Sequence, residues 1–401
     1  MTDSPPVEIP RVVSVDDHVM EPPGLFRKWL PAKFRDEGPR VERGSIERIE
    51  YLGGQDWKLH FSDDGAPGDY WVYDGKMLPM KRINASAGMP LDLRENTPIT
   101  FDEMRPGCWQ PKERLIDMDT NGIGAQMCFP NYPRFCGQIF LRAKDKELAL
   151  LCVKAYNDWM VDEWAGPTEG RLIPLCLIPL WDPQLAAEEV RRNAARGVRA
   201  VCFSELPPFL GLPSIYSGHW DPFFAACNET GTVIACHIGS GTKTPQTSPD
   251  APDAVAGTII FGNSVSSMTD FLYSGVFLRY PDLKVLYAEA QVGWIPYLLE
   301  RIDDVWETHR GWSGSHEYTK EKPSAMYHDH VYSTFFKDPV GIRLLDQIGE
   351  DNVIFESDYP HQDGTWPYTR EQAAVQFGHL DQAVIDKIAR GNALRLLGLA
   401  G

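Results

Sequence analysis

Val198-Arg199-Ala200-Val201-Cys202-Phe203, a helical stretch over Asp221–Thr230, and then Val233-Ile234-Ala235-Cys236-His237 set the pattern from which the fold is read. The two apolar runs are short, nearly continuous in hydrophobic residues and separated by a helix. That combination marks parallel strands covered on both faces and joined by a crossover. The same period extends outward in both directions. Downstream lie Lys284-Val285-Leu286-Tyr287-Ala288 and Asn352-Val353-Ile354-Phe355-Glu356. Upstream lie Gly124–Phe129 ending at Pro130, an amphipathic stretch from Ala143 to Trp164, Arg171–Leu177 and a helical pattern over Pro183–Ala195. At least six such units occur, which favours a closed (β/α)8 barrel over an open doubly wound sheet. No GxGxxG follows the first strand, Arg11–His18, so a dinucleotide fold is disfavoured as well. Two stretches break the alternation. Residues from about 35 to 110 read as an insertion after the first strand, and residues 239–263 read as a long loop after the His237 strand. The expectation is a single domain over 1–401 with an inserted subdomain at about 35–110. Trp57, Trp71 and Trp109 in the insertion either cover the site or pack a core.

The chain has 401 residues, with 39 Lys+Arg against 56 Asp+Glu and a formal charge of −17. Such a balance gives no electrostatic reason to seek nucleic acid or an anionic membrane. Hydrophobic residues at 43% and 12 Trp are enough for a large core, and no apolar run reaches the roughly 20 residues of a membrane span. Met1–Pro10 lacks the features of a secretory leader. Eight Cys without CxxC spacing read as buried thiols in a cytoplasmic protein.

Chemistry gathers at strand ends. In Asp16-Asp17-His18, positions i and i+2 share a face roughly 6–7 Å apart, so Asp16 and His18 can clamp one ion while Asp17 points away. The competing reading is a helix cap. His237 closes an apolar strand before Ile238-Gly239-Ser240-Gly241, and Asp358 follows another in Phe355-Glu356-Ser357-Asp358-Tyr359-Pro360. A histidine satisfied by a carbonyl and a turn-forming Asp are the plain alternatives. Together, Asp16, His18, His237 and Asp358 are read as one mononuclear site, because zinc and similar ions take imidazole nitrogen and carboxylate oxygen and leave a position open.

Those motifs resemble the amidohydrolase 2 family, whose members include aminocarboxymuconate-semialdehyde decarboxylase and the resorcylate-type decarboxylases. The resemblance runs from about Val12 and rests on Val15-Asp16-Asp17-His18 with Glu21-Pro22, Ala155–Trp159 and His219-Trp220-Asp221-Pro222. It continues through Cys236–Ser240, Ser274–Phe277, Gly293–Asp303, Ser357–His361 and Gly391-Asn392-Ala393. It implies a distorted TIM barrel with one divalent ion (zinc, with manganese the alternative), the ligands Asp16, His18, His237 and Asp358, and a homodimer. One departure stands out. The His that many of these decarboxylases carry before the Gly-x-x-Pro helix start falls here at Ala290, next to Glu289. Three roles are open to Glu289: replacing that His, ligating the ion, or pairing with a base such as Arg301.

The resemblance implies non-oxidative decarboxylation of a small aromatic or unsaturated carboxylic acid, with Asp358 and Glu289 as catalytic candidates. Hydrolysis of an ester, lactone or amide uses the same ligands and is the alternative, with Asp358 taking a proton from water. A barrel without catalysis that serves as a binding protein is a third reading. For the substrate, Arg134 after the second apolar strand suits a carboxylate or is solvated surface. His361 and Trp366 after the last strand are further binding candidates, as is His330 near another strand.

Overall fold

The computed structural model describes residues 8–54 and 56–400. Most of the polar N-terminal segment read above, Met1–Val7, lies outside the described residues. The first strand, β1 (Val12–Val19), is buried along its whole length. The antiparallel insertion follows as β2 (Arg40–Gly53), β3 (Asp56–Phe61), β4 (Ala66–Tyr73) and β5 (Lys76–Pro79), ordered β3-β2-β4-β5. The alternation then resumes with β6 (Ile123–Pro130), β7 (Leu172–Ile173), β8 (Leu175–Cys176), β9 (Ala200–Phe203), β10 (Val233–His237), β11 (Val285–Ala288), β12 (Val331–Phe335) and β13 (Val353–Phe355).

All pairings outside the insertion are parallel, in two runs ordered β1-β6-β7 and β13-β12-β11-β10-β9-β8. Both runs meet at two joins. Pro174, which has no N–H to offer a ladder, separates β7 from β8 within one continuous segment, so that segment pairs with β6 on one side and β9 on the other. At the second join, Asp358 N donates to Asp16 O at 3.1 Å and His18 N donates to Tyr359 O at 2.6 Å. Eight barrel positions result, arranged as a distorted (β/α)8 TIM barrel.

Helix signals are local. Asp182 caps Pro183–Ala194 by accepting from the N–H groups of Gln184 and Leu185, with Pro183 at the first helical position. The segment 239–263 is not wholly a loop, as its Thr, Pro and Ser content suggested: it holds the helix Asp253–Ile259, and the helix Gly262–Tyr273 begins within it. The run Ala254-Val255-Ala256 behind Asp253 supplies the helix-forming residues there. None of the described helices is long and apolar enough to cross a membrane.

The insertion packs back onto the barrel. Trp71 is buried and stacks on Tyr132 with ring centroids 4.3 Å apart, while Ser86 N and Ala87 N both donate to Pro360 O at 2.8 and 3.1 Å. It is thus fastened to the turn after β6 and to the loop after β13. Trp109 sits edge-on to Phe101 at 5.4 Å, as core packing requires.

Asp17 turns away from the cluster of Asp16 and His18, and ties the second join. Its carboxylate accepts from Ser357 Oγ and, at 3.0 Å, from Tyr359 N. Burial still pushes the Asp17 carboxyl up to about 7. Asp17→Ala strands both buried donors and is expected to destabilise the fold by about 2–4 kcal/mol, read as a lower urea midpoint with unchanged slope.

Candidate active site

Strand ends at the C-terminal face of the barrel bring the four proposed ligands together, although the outermost two, Asp16 and Asp358, are more than 300 residues apart in the chain. His18 Nε2 lies 3.3 Å from His237 Nε2 and 3.2 Å from Asp358 Oδ1. Asp16 Oδ1 lies 3.5 Å from His237 Nε2 and 3.9 Å from His18 Nε2. All four side chains are buried. Two ligand atoms each about 2.1 Å from a tetrahedral ion stand roughly 3.4 Å apart, so Asp16, His18 and His237 are spaced to share a cation, and His18, Asp358 and His361 form a second such group around the common His18.

Each imidazole is oriented by its surroundings. His237 Nδ1–H donates to Ile238 O at 2.6 Å, which leaves the Nε2 lone pair facing the cluster. Phe135 stacks on His237 at 4.1 Å with the planes 8° apart, and His361 stacks on His18 at 3.5 Å. The His18 backbone carbonyl accepts from the buried Arg114 Nη2 at 2.6 Å. Glu21 accepts from Asn131 N at 2.9 Å and Tyr132 N at 2.8 Å, fixing the turn that carries Phe135.

Glu289 joins the cluster. Its Oε2 lies 3.3 Å from His237 Nε2, whereas Arg301 pairs with Asp304 and leaves Glu289 alone. Glu289, Asp358 and Arg134 all have φ in the left-handed region, at 59°, 47° and 62°. Non-glycine residues held there store strain, and such positions gather at functional sites. Ala290 is buried, and its carbonyl accepts from Trp294 Nε1 at 2.8 Å.

Among the described residues, both oxygens of Asp16 and both of Asp358 lack a hydrogen-bond donor, as do His18 Nδ1 and Glu356 Oε1. Burial drives the carboxyls of Asp16, Asp358 and Glu289 well above their ordinary range, with neighbouring carboxylates adding to it. It also holds His18 and His361 well below theirs and pulls His237 down to about 3. Unpaired buried acceptors mixed with neutral imidazoles are what a divalent cation satisfies, since its charge restores the anionic carboxylates. The donor set fits a metal ion.

The remaining candidates are placed as follows. His361 Nδ1 lies 3.6 Å from Asp358 Oδ1, beside the cluster. Arg134 is half-buried over Phe135 at 5.3 Å. Trp366 Nε1 donates to Asp117 O at 3.2 Å and its ring lies under Arg105 at 4.3 Å. His330 is a correction: it precedes β12 at the opposite end of the barrel, where it bonds Leu283 O at 2.8 Å and stacks on Phe277. Glu356 was missed. It shares a strand face with Asp358, and its Oε2 faces Glu289 N at 3.4 Å. Applying the two-residue period to Glu356-Ser357-Asp358 finds it. Burial pushes its carboxyl up to about 7.

Glu205, after β9, is another buried carboxyl that the sequence did not single out. Its backbone N–H donates to Ser240 Oγ at 2.9 Å, and burial pushes its carboxyl up to about 8 from 4.5. The folded protein therefore keeps this proton over a window in which the unfolded chain releases it, and the stability it contributes is lost as pH rises from about 4.5 to 8. Glu205→Gln removes that loss. The variant's stability relative to the parent is expected to climb by up to about 1.4 kcal/mol per pH unit through the window, measured by urea denaturation at pH 5 and 8.

A profile of the amidohydrolase family matches residues 56–399. A 2-amino-3-carboxymuconate-6-semialdehyde decarboxylase from Dictyostelium discoideum is 24% identical over 321 residues, 75% of this chain and 79% of that protein. A gamma-resorcylate decarboxylase from a Rhizobium species is 25% identical, over 72% of this chain and 87% of its own. Among solved structures, an amidohydrolase from Mycobacterium avium subsp. paratuberculosis superposes with a TM-score of 0.69 at 22% identity, over 97% of this chain and 99% of that one. A 5-carboxyvanillate decarboxylase from Novosphingobium aromaticivorans, complexed with manganese and a nitrobenzoic acid, superposes with a TM-score of 0.58 at 21% identity, over 71% and 79%. Both structures share the fold.

Proposed function

Since the chain belongs to the amidohydrolase family, we propose that it is a metal-dependent carboxy-lyase that removes CO₂ without oxidation from a small aromatic or unsaturated carboxylic acid. The observation that carries this reading is the meeting of His18 and His237 Nε2 atoms at 3.3 Å among buried, donorless carboxylates of Asp16 and Asp358. Decarboxylases among the relatives of this chain favour C–C cleavage over the hydrolysis that the same ligands would serve.

Asp16, His18, His237 and Asp358 would hold the ion, with Glu289 in reach as a further oxygen ligand. When bound, a divalent ion supplies positive charge that anchors substrate oxygens and draws electron density from the reacting carbon. The chain's own groups do the rest. Phe135 and the stacked imidazoles exclude water from one side of the site. Asp358 hands a proton to the ring carbon that bears the carboxylate. The C–C bond then breaks, its electron pair returns to the ring, and CO₂ leaves. His361, 3.6 Å from Asp358, is placed to return the proton. The net balance is one carboxylate anion and one proton in, one arene and one CO₂ out.

Imidazole and carboxylate donors suit zinc and manganese alike; zinc is our choice for the resident ion. The proposal also takes the working form to be a cytoplasmic homodimer, and the eight buried, unpaired cysteines suit a reducing compartment. Elemental analysis and CO₂ release from 2,6-dihydroxybenzoate and 5-carboxyvanillate test it. One equivalent of metal and release from either acid is the expected result. Turnover of only esters, lactones or amides moves the assignment to hydrolysis, and a metal-free, inert protein returns it to a binding role.

A further inference from the structure

The turn after β11 is held from outside. The parallel ladder between β11 and β12 ends at the pair Tyr287 and Ser333, and just beyond it Glu289 N donates to Thr334 Oγ1 at 2.9 Å. Thr334 is buried, and Glu356 Oε2 stands 3.4 Å from the same N–H. At the far end of the turn, Val292 N and Gly293 N both donate to Asp338 Oδ2, at 2.8 and 2.6 Å, while Asp338 Oδ1 accepts from Gly341 N at 2.8 Å. One carboxylate thus ties the approach to the helix Ile295–Thr308 to the helix Pro339–Arg343. Nothing larger than glycine fits at Gly293, since a Cβ there would stand 2.8 Å from Asp338 Oδ1.

Between these two anchors the backbone is strained. Glu289 and Gln291 both lie in the left-handed region, at φ 59° and 57°. Two non-glycine residues in that region within one turn persist only where the surroundings impose them. Trp294 Nε1 fixes the residue between them by donating to Ala290 O at 2.8 Å. Capping the helix that starts at Ile295 calls for neither left-handed residue. What this backbone does achieve is a contact with the cluster: Glu289 Oε2 stands 3.3 Å from His237 Nε2.

Resting on the metal site of the proposed function, and not on which bond is cleaved there, we propose that Thr334 and Asp338 are positioning residues that act through Glu289, holding its carboxylate beside His237 as a further oxygen ligand of the cation. A glutamate free to rotate gives up side-chain freedom when it ligates an ion. One aimed in advance by its backbone has less to give up and binds more tightly. β12 and the residues after it thus supply no ligand of their own, yet they set how firmly the ion is held, as groups behind a metal's ligands do.

Titration of the metal-free protein with Mn²⁺ alone, in a double-mutant cycle with Glu289→Ala, separates this role from ordinary packing. Mn²⁺ binds such donors more weakly than Zn²⁺, which keeps its affinity measurable. Thr334→Val keeps the side chain's shape and removes the hydroxyl. It should weaken Mn²⁺ binding by about threefold to tenfold, the worth of one net hydrogen bond, and Thr334→Ser should restore the parent value. Asp338→Asn should move affinity in the same direction. In the Glu289→Ala background neither change should weaken binding further, because the carboxylate they aim is gone. An equal loss in both backgrounds, or no loss in either, overturns the proposal while the metal site stands. Hydrogen exchange across residues 289–293 of the metal-free protein reads the turn without the ion: Thr334→Val should quicken it and Thr334→Ser should not. Unchanged exchange in Thr334→Val also overturns the proposal. If the parent takes up no Mn²⁺ although Thr334→Val quickens exchange, the metal reading fails and the hold on the Glu289 turn stands. If Thr334→Val does not fold, Thr334→Ala is read in its place.

Discussion

Asp358→Asn is expected to lower kcat for CO₂ release by about 10²–10⁴ while the protein still takes up metal. The reasoning begins with geometry. Asp358 is the proposed ligand that also reaches His361, with Oδ1 3.2 Å from His18 Nε2 and 3.6 Å from His361 Nδ1. A carboxyl in that place can hold the ion through one oxygen and pass a proton with the other. Asparagine keeps the shape and one oxygen but cannot carry an acidic proton, so the variant separates the two duties. A positioned acid or base contributes about 10²–10⁴ to rate. Asp16, His18 and His237 remain to hold the ion. Single-turnover CO₂ release together with metal analysis of the same sample checks this. A variant that keeps its metal and its rate would show that Asp358 moves no proton.

His237→Ala is expected to empty the site. Structural metal binding of about 10–16 kcal/mol spread over four ligands gives each ligand about 3 kcal/mol, so losing one should weaken binding on the order of 100-fold. His237 has more to lose than an average share, because its Nδ1 is already committed to Ile238 O and its ring to Phe135. No neighbouring side chain of this turn can swing in to replace its nitrogen. The expected readings are a metal content well below one per chain after dialysis and no CO₂ release. Glu289→Gln should show the smaller loss of a peripheral oxygen. Full metal retention in His237→Ala would move the ion elsewhere in the cluster.

Much of the architecture was legible because each barrel strand is short, apolar on both faces and followed by a helix with its own signals. Strand ends were legible for the same reason: in His237 and Asp358 a polar group terminates an apolar run, and in Asp16 and His18 the two-residue period puts both on one face. What the sequence hid depends on partners distant along the chain. Glu289 was singled out but its partner was not: it follows a strand that ends at Ala288, and its left-handed backbone accompanies a contact to His237 instead of Arg301. Thr334 and Asp338 lie on and after the next strand, and their hydrogen bonds to this turn leave no periodic trace in the sequence. His330 failed for the opposite reason, since proximity to a strand does not say which end of the barrel is near.

The tie between the first and last strands has a consequence for how the protein is made. Asp16 and His18 leave the ribosome more than three hundred residues ahead of their partner Asp358. Until Ser357 and Tyr359 arrive to engage Asp17, β1 keeps one open edge, and half of the proposed ligands wait unpaired. Nascent chains halted anywhere before Asp358 should therefore lack the full cluster, whatever share of the barrel has already collapsed, and the metal should be acquired as one of the last events of biogenesis.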